Sequence, residues 1–258
     1  MPREGSPATS TSRSSDLARN ALKSGLVESH AQIWPDVLYI VRHGESAGNV
    51  AREAALLAGE REIDLNVRDV DVPLSKLGEQ QSVALGRWIA ALPDDARPSV
   101  ILTSPYLRAR NTAAIVAEAA GLSDDAYSLV VDERLREKEF GILDRFTRVG
   151  IEAYHPEQAE FRRLLGKFYH RPPGGESWCD VILRLRSAVE MISREYCAER
   201  VLLVCHSVVV LCMRYLLEHM TEAESLGSGS PPERSGHVGN DVRHHGHQRY
   251  AFRHVAGI

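Results

Sequence analysis

The stretch VLYIVRHGES, residues 37–46, decides how the rest of the chain is read. Its first five residues are apolar without a polar break, which describes a strand buried on both faces, as in a parallel sheet covered by helices. The polar text from Arg42 onward then marks the carboxyl end of that strand, where open α/β sheets place their ligands. Val100-Ile-Leu-Thr103 and Val201-Leu-Leu-Val-Cys205 repeat the pattern, and Tyr127 to Val131 is a fourth apolar run. Helical text lies between them. Trp178, Val181, Ile182, Leu185, Val189, Ile192 and Tyr196 recur at three- and four-residue spacing behind a capping box formed by Ser177 and Asp180. Leu77 to Leu92 is a second amphipathic segment, started at Ser75, and Ser104-Pro105 supplies an N-cap and a first-turn proline for a third. Strands alternating with helices predict a three-layer α/β/α domain with a mostly parallel central sheet.

That domain occupies residues 36–220 of the 258. Residues 1–35 open on Ser/Thr/Pro-rich text that buries too little apolar surface to offset its ordering entropy, and they are expected to be disordered or weakly ordered. Residues 221–258 form a Gly/Ser/His-rich tail carrying five of the eleven histidines (His237, His244, His245, His247 and His254), with no Cys or carboxylate spaced to complete a metal site. One short strand at Tyr250 to Val255 is the element this tail offers. With 31 Lys+Arg against 35 Asp+Glu and a net charge of −4, the chain lacks the electrostatic footprint of a nucleic-acid binder. Both ends are near neutral, so the acid excess sits in 36–220, and any anion site there must be built from a few placed arginines. The most apolar stretch, Val201 to Leu217, is interrupted by His206 and Arg214 and is too short for a membrane span. Cys179, Cys197, Cys205 and Cys212 form no CxxC pair, and reduced thiols in a cytoplasmic protein are the expectation. The text is silent on oligomeric state.

The residues just beyond the strand ends carry the chemistry. Arg42-His43-Gly44-Glu45-Ser46, then Asn49, follows the first; Ser104 to Arg108 the second; Leu135-Arg136-Glu137 the fourth run; His206-Ser207 the last. Two arginines, two histidines and a carboxylate at one sheet edge suit a phosphoryl group, since guanidinium forks match phosphate geometry and stay charged. Arg108 gains from the positive end of its helix, and Asn49 offers an amide donor. One histidine can attack phosphorus while the other, protonated, steadies the charge that spreads over the equatorial oxygens. A nearby acid is needed to protonate the leaving oxygen, and on spacing alone Glu133, Glu137 and Glu139 serve equally. No Asp/His cluster has metal-ligand spacing, and no glycine-rich nucleotide loop is present.

With these residues in view, Arg42-His43-Gly44-Glu45-Ser46 resembles the signature of the histidine phosphatase superfamily, also called the phosphoglycerate mutase-like family. The resemblance continues in order through Pro73-Leu74-Ser75-x-x-Gly78, Ser104-Pro105-Tyr106-Leu107-Arg108-Ala109-x-x-Thr112, Leu135-x-Glu137-x-x-Phe140-Gly141 and Val204-Cys205-His206-Ser207. It implies that His43 is the phosphorylated nucleophile, that Arg42, Arg108 and His206 form the phosphate pocket with Asn49 and Ser46 in support, and that Glu137 is the proton donor. It implies no metal and no other cofactor. Two departures stand out. Ser207 replaces the usual glycine, so its hydroxyl either enters the pocket or caps the following helix. Family members also finish with a further strand, which the text after 222 does not resemble; a truncated or reading-frame-altered end of this kind would leave a sheet edge exposed.

The segment 142–176 reads as a lid of two short helices over the site, ending in the turn Pro172-Pro-Gly-Gly175, with Arg171 its candidate substrate contact. The expected activity is metal-independent hydrolysis of a phosphomonoester of a small metabolite. The alternatives are a phosphoglycerate mutase, whose members resemble RHGES followed closely by Trp-Asn where this chain has Ala47-Gly48-Asn49, and a phosphoprotein phosphatase or regulatory phospho-ligand binding protein.

Overall fold

A computed structural model describes residues 34–123, 125, 127–227, 241–245 and 248–253, the last two segments as backbone alone. The expectation of disorder in residues 1–35 falls almost wholly outside the described residues. Strands β1 (Val37–Arg42), β2 (Val100–Thr103), β3 (Ser128–Val131), β4 (Arg200–Cys205), β5 (Asp241–His245) and β6 (Gln248–Arg253) form one sheet in the order β3-β2-β4-β1-β6-β5. Every pairing is parallel except that of the β5–β6 hairpin.

The unbroken apolar runs are explained by what covers them. Leu38 and Ile40 of β1, Val100 and Leu102 of β2, and Val201, Leu203 and Cys205 of β4 face one layer, packed on helices α6 (Trp178–Glu195) and α7 (Ser207–Leu217). The alternate residues Tyr39, Val41, Ile101, Leu202 and Val204 face the other, packed on α2 (Lys76–Ala90) and α3 (Leu107–Ala119). In the core of β1, β2 and β4 the apolar residues thus find an apolar layer whichever way they point. β3 is an edge strand, paired only with β2 and largely exposed.

Three sequence expectations are revised. The short strand expected at Tyr250 to Val255 is present as β6, two residues earlier, and, against the expectation of a missing final strand, it joins the sheet: β6 pairs with β1 in parallel, Leu38 against Tyr250 through Val41 against Arg253, so β1 is not an edge. A six-residue helix, α8 (Glu222–Gly227), precedes the hairpin. Second, α3 begins two residues later than the Ser-Pro signal indicates, with Tyr106 at the N-cap. The Ser104 hydroxyl is engaged elsewhere, as described below. Third, α7 is capped by His206, and Ser207 is its first residue rather than its cap. Helix α6 starts as expected, with Ser177 and Asp180 in a reciprocal capping box.

The lid is α4 (Arg148–Tyr154) and α5 (Pro156–Tyr169), the latter broken at Gly166, whose φ is +77°. It is tied to the turn after α1 (Ala47–Ala58). The Thr147 hydroxyl donates to Glu60 O at 2.7 Å and accepts from Gly150 N at 3.2 Å, while Ile63 N donates to Arg145 O at 2.7 Å.

Candidate active site

Strand register assembles the site. Arg42 lies opposite Cys205 and Thr103 opposite Val204, so the residues that follow, His43, Ser104 and His206, emerge side by side from three neighbouring strands. The ladder continues one step past the strands, with His43 N donating to Cys205 O at 2.9 Å and Ser104 N to Val204 O at 3.0 Å.

The turn after β1 is held by close backbone packing on the start of α2. A Cβ on Gly44 would lie 2.3 Å from Gly78 O, and one on Gly78 would lie 1.9 Å from Glu45 O, so neither position admits a side chain without moving the other segment. Hydrogen bonds lock the same contact: Gly44 N to Thr112 Oγ1 at 3.1 Å, Glu45 N to Gln81 Oε1 at 2.8 Å, and Ser75 Oγ to Glu45 Oε1 at 2.6 Å.

His43 is buried, and both ring nitrogens are assigned by their neighbours. Nδ1 lies 2.6 Å from Gly44 O, which can only accept, so Nδ1 carries the proton. Nε2 then bears the lone pair, and it accepts from Arg108 Nε at 3.2 Å. Burial first, then Arg108 and Arg42, hold this imidazole well below its ordinary pKa, so it is neutral and nucleophilic at Nε2. The His206 ring is fully buried at 5.0 Å from that of His43, edge-on. Its Nε2 is 2.7 Å from Ser104 Oγ, and its Nδ1 has no hydrogen-bond partner among the described residues. Burial, followed by His43 and Arg108, pushes its pKa down as well.

Arg108, from the first turn of α3, is buried with its guanidinium forked on Asp69: Nη1 is 3.0 Å from Oδ1 and Nη2 3.2 Å from Oδ2. It also sits 4.9 Å above the Tyr106 ring. Ser46 caps α1 in a capping box with Asn49, whose Oδ1 accepts from Ser46 N and Oγ, both at 3.0 Å. With Oδ1 so committed, the amide donor of Asn49 is the part left to face a ligand. Glu137 Oε1 accepts from Lys138 N at 2.9 Å, and burial raises the carboxyl above its ordinary pKa despite Arg108 and Arg42 nearby. Its loop is clamped from behind by Arg184. That guanidinium donates to Glu176 Oε1 at 2.9 Å and Oε2 at 3.1 Å, to Glu137 O at 3.3 Å, and to Arg134 O.

Arg42, His43, Ser46, Asn49, Arg108, Glu137 and Ser207 all line one cavity of about 1120 Å³, roofed by the lid. Two candidates fall outside that set. His206 lies behind His43, fully buried rather than at the cavity surface. Arg171 is turned to solvent and held by Asp180 through both Nε and Nη2, because Asp180 already faces it from the capping box of α6. Of the three acids that spacing left open, Glu139 is exposed and accepts from the Tyr106 hydroxyl at 2.9 Å, Glu133 is exposed, and Glu137 alone reaches the cavity. Sequence reading missed Asp69, which sits in a polar loop with no local marker, and the service of Ser104 to His206. It also missed the cavity-lining cations Arg52 and Lys138.

The comparisons with known proteins agree with this geometry. The model of the histidine phosphatase superfamily (branch 1) matches residues 38–227. A probable phosphoglycerate mutase GpmB of Photorhabdus laumondii is 32% identical over 178 residues, covering 68% of this chain and 72% of its own length. Among solved structures, Bacillus stearothermophilus YhfR superposes with a TM-score of 0.61 at 27% identity, over 83% of this chain and 94% of its own. A mycobacterial glucosyl-3-phosphoglycerate phosphatase does so with a TM-score of 0.54 at 28% identity, over 74% and 82%. A neutral histidine held at the end of a parallel strand beside two arginines, within a matched span that includes every strand-end motif, places this chain in the histidine phosphatase superfamily, branch 1.

Proposed function

We propose that the protein is a phosphatase that hydrolyses a phosphomonoester of a small metabolite through a phosphohistidine at His43, without a metal or other cofactor. The observation that carries this reading is the tautomer of His43: Nδ1 is tied to Gly44 O, and the lone pair is left on Nε2 beside the Arg108 guanidinium. The Nε2 lone pair attacks phosphorus and an N–P bond forms as the P–O ester bond breaks. Glu137, whose pKa desolvation raises and which therefore holds a proton more readily than an ordinary carboxyl, gives that proton to the departing oxygen. Arg42 and Arg108, which line the cavity beside His43, neutralise the equatorial oxygens. In the second half, the Glu137 carboxylate takes a proton from water, the water oxygen bonds to phosphorus, and the N–P bond breaks to release phosphate.

The similarity to a mycobacterial phosphatase supports hydrolysis, and the similarity to a probable phosphoglycerate mutase supports transfer to a second hydroxyl as the competing outcome. The site would take a small phosphorylated molecule; we propose no nucleic-acid or membrane partner. Among the described residues no helix is long and apolar enough to cross a membrane. No disulfide joins the four cysteines, which fits the reducing cytoplasm. The test is phosphate release from a panel of phosphorylated metabolites and a phosphopeptide, with chelator present. Turnover insensitive to chelator, a trapped phosphohistidine, and loss of both in His43→Ala are expected. Interconversion of 2- and 3-phosphoglycerate faster than hydrolysis would replace this reading with the mutase, and turnover of the phosphopeptide alone with a protein phosphatase.

A further inference from the structure

The catalytic cavity carries more positive charge than one phosphoryl group requires. Nine Arg and Lys line it against five Asp and Glu, in a chain whose net charge is −4. Some of these cations are already neutralised: Arg108 by Asp69, Arg148 by Glu152 at 2.8 Å, and Arg163 by Glu160 at 2.6 Å. Others are not. Arg52 on α1, Lys138 beside Glu137, and Arg162 and Lys167 on α5 make no ion pair among the described residues, although they share the cavity. Lys138 is buried, with its ammonium 4.6 Å above the Phe140 ring and only a carbonyl, Glu139 O at 3.4 Å, to accept from it. The Lys167 ammonium stands 5.0 Å above the Trp178 ring. Aromatic faces hold cations in place without neutralising them.

These groups repel one another. Beyond desolvation, the largest cause in each case, Arg52 and Arg148 lower the pKa of Arg162, Arg162 and Arg52 lower that of Lys167, and Arg162 lowers those of His170 and Lys138, although Glu176, Glu137 and Asp180 act on Lys138 in the opposite sense. A cluster of like charges that disfavours its own ionisation is stabilised by an anion placed among them. The cavity, at about 1120 Å³, has room for a substrate that spans both regions.

We propose that Lys138, Arg162 and Lys167, together with Arg52, form a second anion subsite, so that the preferred substrate carries a further anionic group, a carboxylate or a second phosphate, besides the phosphoryl group attacked by His43. This rests on the phosphatase reading above and names its substrate class. The subsite draws on α1, the segment after β3 and the lid, so it selects for a molecule that bridges the lid and the sheet edge.

Two matched substrate pairs test it: fructose 1,6-bisphosphate against fructose 6-phosphate, and 3-phosphoglycerate against glycerol 3-phosphate. The full-length protein is expected to favour the doubly anionic member of at least one pair by tenfold or more in kcat/KM. The pair that shows the preference distinguishes a phosphate from a carboxylate as the second group. In Arg162→Gln and in the double variant Arg162→Gln, Lys167→Met, that ratio falls at least tenfold, whereas Arg171→Gln, outside the cavity, keeps it. A ratio near one in both pairs, or one that survives the double variant, overturns the subsite. The same four compounds titrated against His43→Ala, with the thermal shift as readout, separate the two claims. Tighter binding of the doubly anionic compounds without turnover in the wild type would sink the phosphatase reading and keep the subsite; equal binding sinks the subsite even where phosphate is released.

Discussion

Replacing Gly78 by alanine should cripple an enzyme whose catalytic residues are all intact. The added Cβ would sit 1.9 Å from Glu45 O and 2.8 Å from both Glu45 C and Glu45 N. An unstrained C···O contact is about 3.3 Å, so the two backbones must separate by about 1.4 Å. Neither is a flexible side-chain tip that can swing away. Glu45 is two residues from His43, and its displacement pulls on the Gly44 carbonyl that fixes the His43 tautomer. Misplacement of a reacting group by about 1 Å costs about 10²-fold in rate, and overpacking costs about 1–3 kcal/mol of stability. The assay is kcat/KM on p-nitrophenyl phosphate, with a urea midpoint on the same protein. Gly59→Ala is the matched control: its φ of +67° imposes left-handed strain of about 1–2 kcal/mol, but nothing lies within 4 Å of the new methyl. The two variants should lose comparable stability, and only Gly78→Ala should lose rate. A folded Gly78→Ala protein with kcat/KM within twofold of wild type would refute the claim that this backbone contact positions His43.

Four further outcomes follow from the site. The pH profile of kcat/KM should be a bell set by His43, whose pKa is lowered, on the rising side and Glu137, whose pKa is raised, on the falling side, giving an optimum on the acid side of neutrality. Glu137→Gln should remove the falling limb and lower kcat/KM for alkyl phosphates by about 10²-fold or more, sparing kcat/KM for p-nitrophenyl phosphate because its leaving group needs no proton; equal losses in kcat/KM on both substrates would count against Glu137 as the acid. Folding stability should fall on acidification, since the unfolded chain binds protons that buried His43 and His206 refuse. The loss begins as pH drops below the ordinary imidazole range, at up to about 1.4 kcal/mol per pH unit per histidine, and a urea midpoint unchanged between pH 7.5 and 5.5 would contradict it. Arg184→Met should cost about 1.5–3 kcal/mol, since Arg136 still reaches Glu176 Oε1 at 2.9 Å, and should lower kcat/KM on alkyl phosphates more than on p-nitrophenyl phosphate because the Glu137 loop loses its clamp; a uniform loss would reduce Arg184 to a structural role.

How much of this was legible in the sequence depended on whether a residue's role is set locally. The layers were readable because burial on both faces leaves an unbroken apolar run, as in Val37 to Val41. His43 and Arg108 were readable because a ligand edge lies just past each strand, at a short and countable distance. The β6 strand was harder. Its text, QRYAFR, is short, polar at both ends, and set in Gly/Ser/His-rich sequence whose composition argues for a tail. Ser104 was misassigned for a different reason. Its spacing to the following helix suits an N-cap, but its hydroxyl lies 2.7 Å from His206 Nε2, over a hundred residues away, and no local pattern reports that competition.

The same distinction explains why reaction type and substrate separate so sharply in this fold. In the proposed mechanism, attack, charge neutralisation and proton donation fall to groups at strand ends, each with a fixed offset from an apolar run. Substrate choice falls to side chains without such an anchor. Arg52 stands on the exposed side of α1, Lys138 in an irregular segment, and Arg162 and Lys167 on a helix that is broken at Gly166. In the sequence Arg52 and Lys138 carry no marker, Arg162 and Lys167 lie in a lid segment that reads mostly as solvated charge, and Arg171 is a better prospect than any of them. What reverses the ranking is a question of neighbours. Asp180 neutralises Arg171 at the surface, whereas Arg162 and Lys167 meet other cations across a shared cavity. An arginine that already has its carboxylate gains little from a ligand's anion. One surrounded by like charge gains both the attraction and the relief of repulsion, and that difference is what makes the lid helix α5, rather than the segment that follows it, the place to look for specificity.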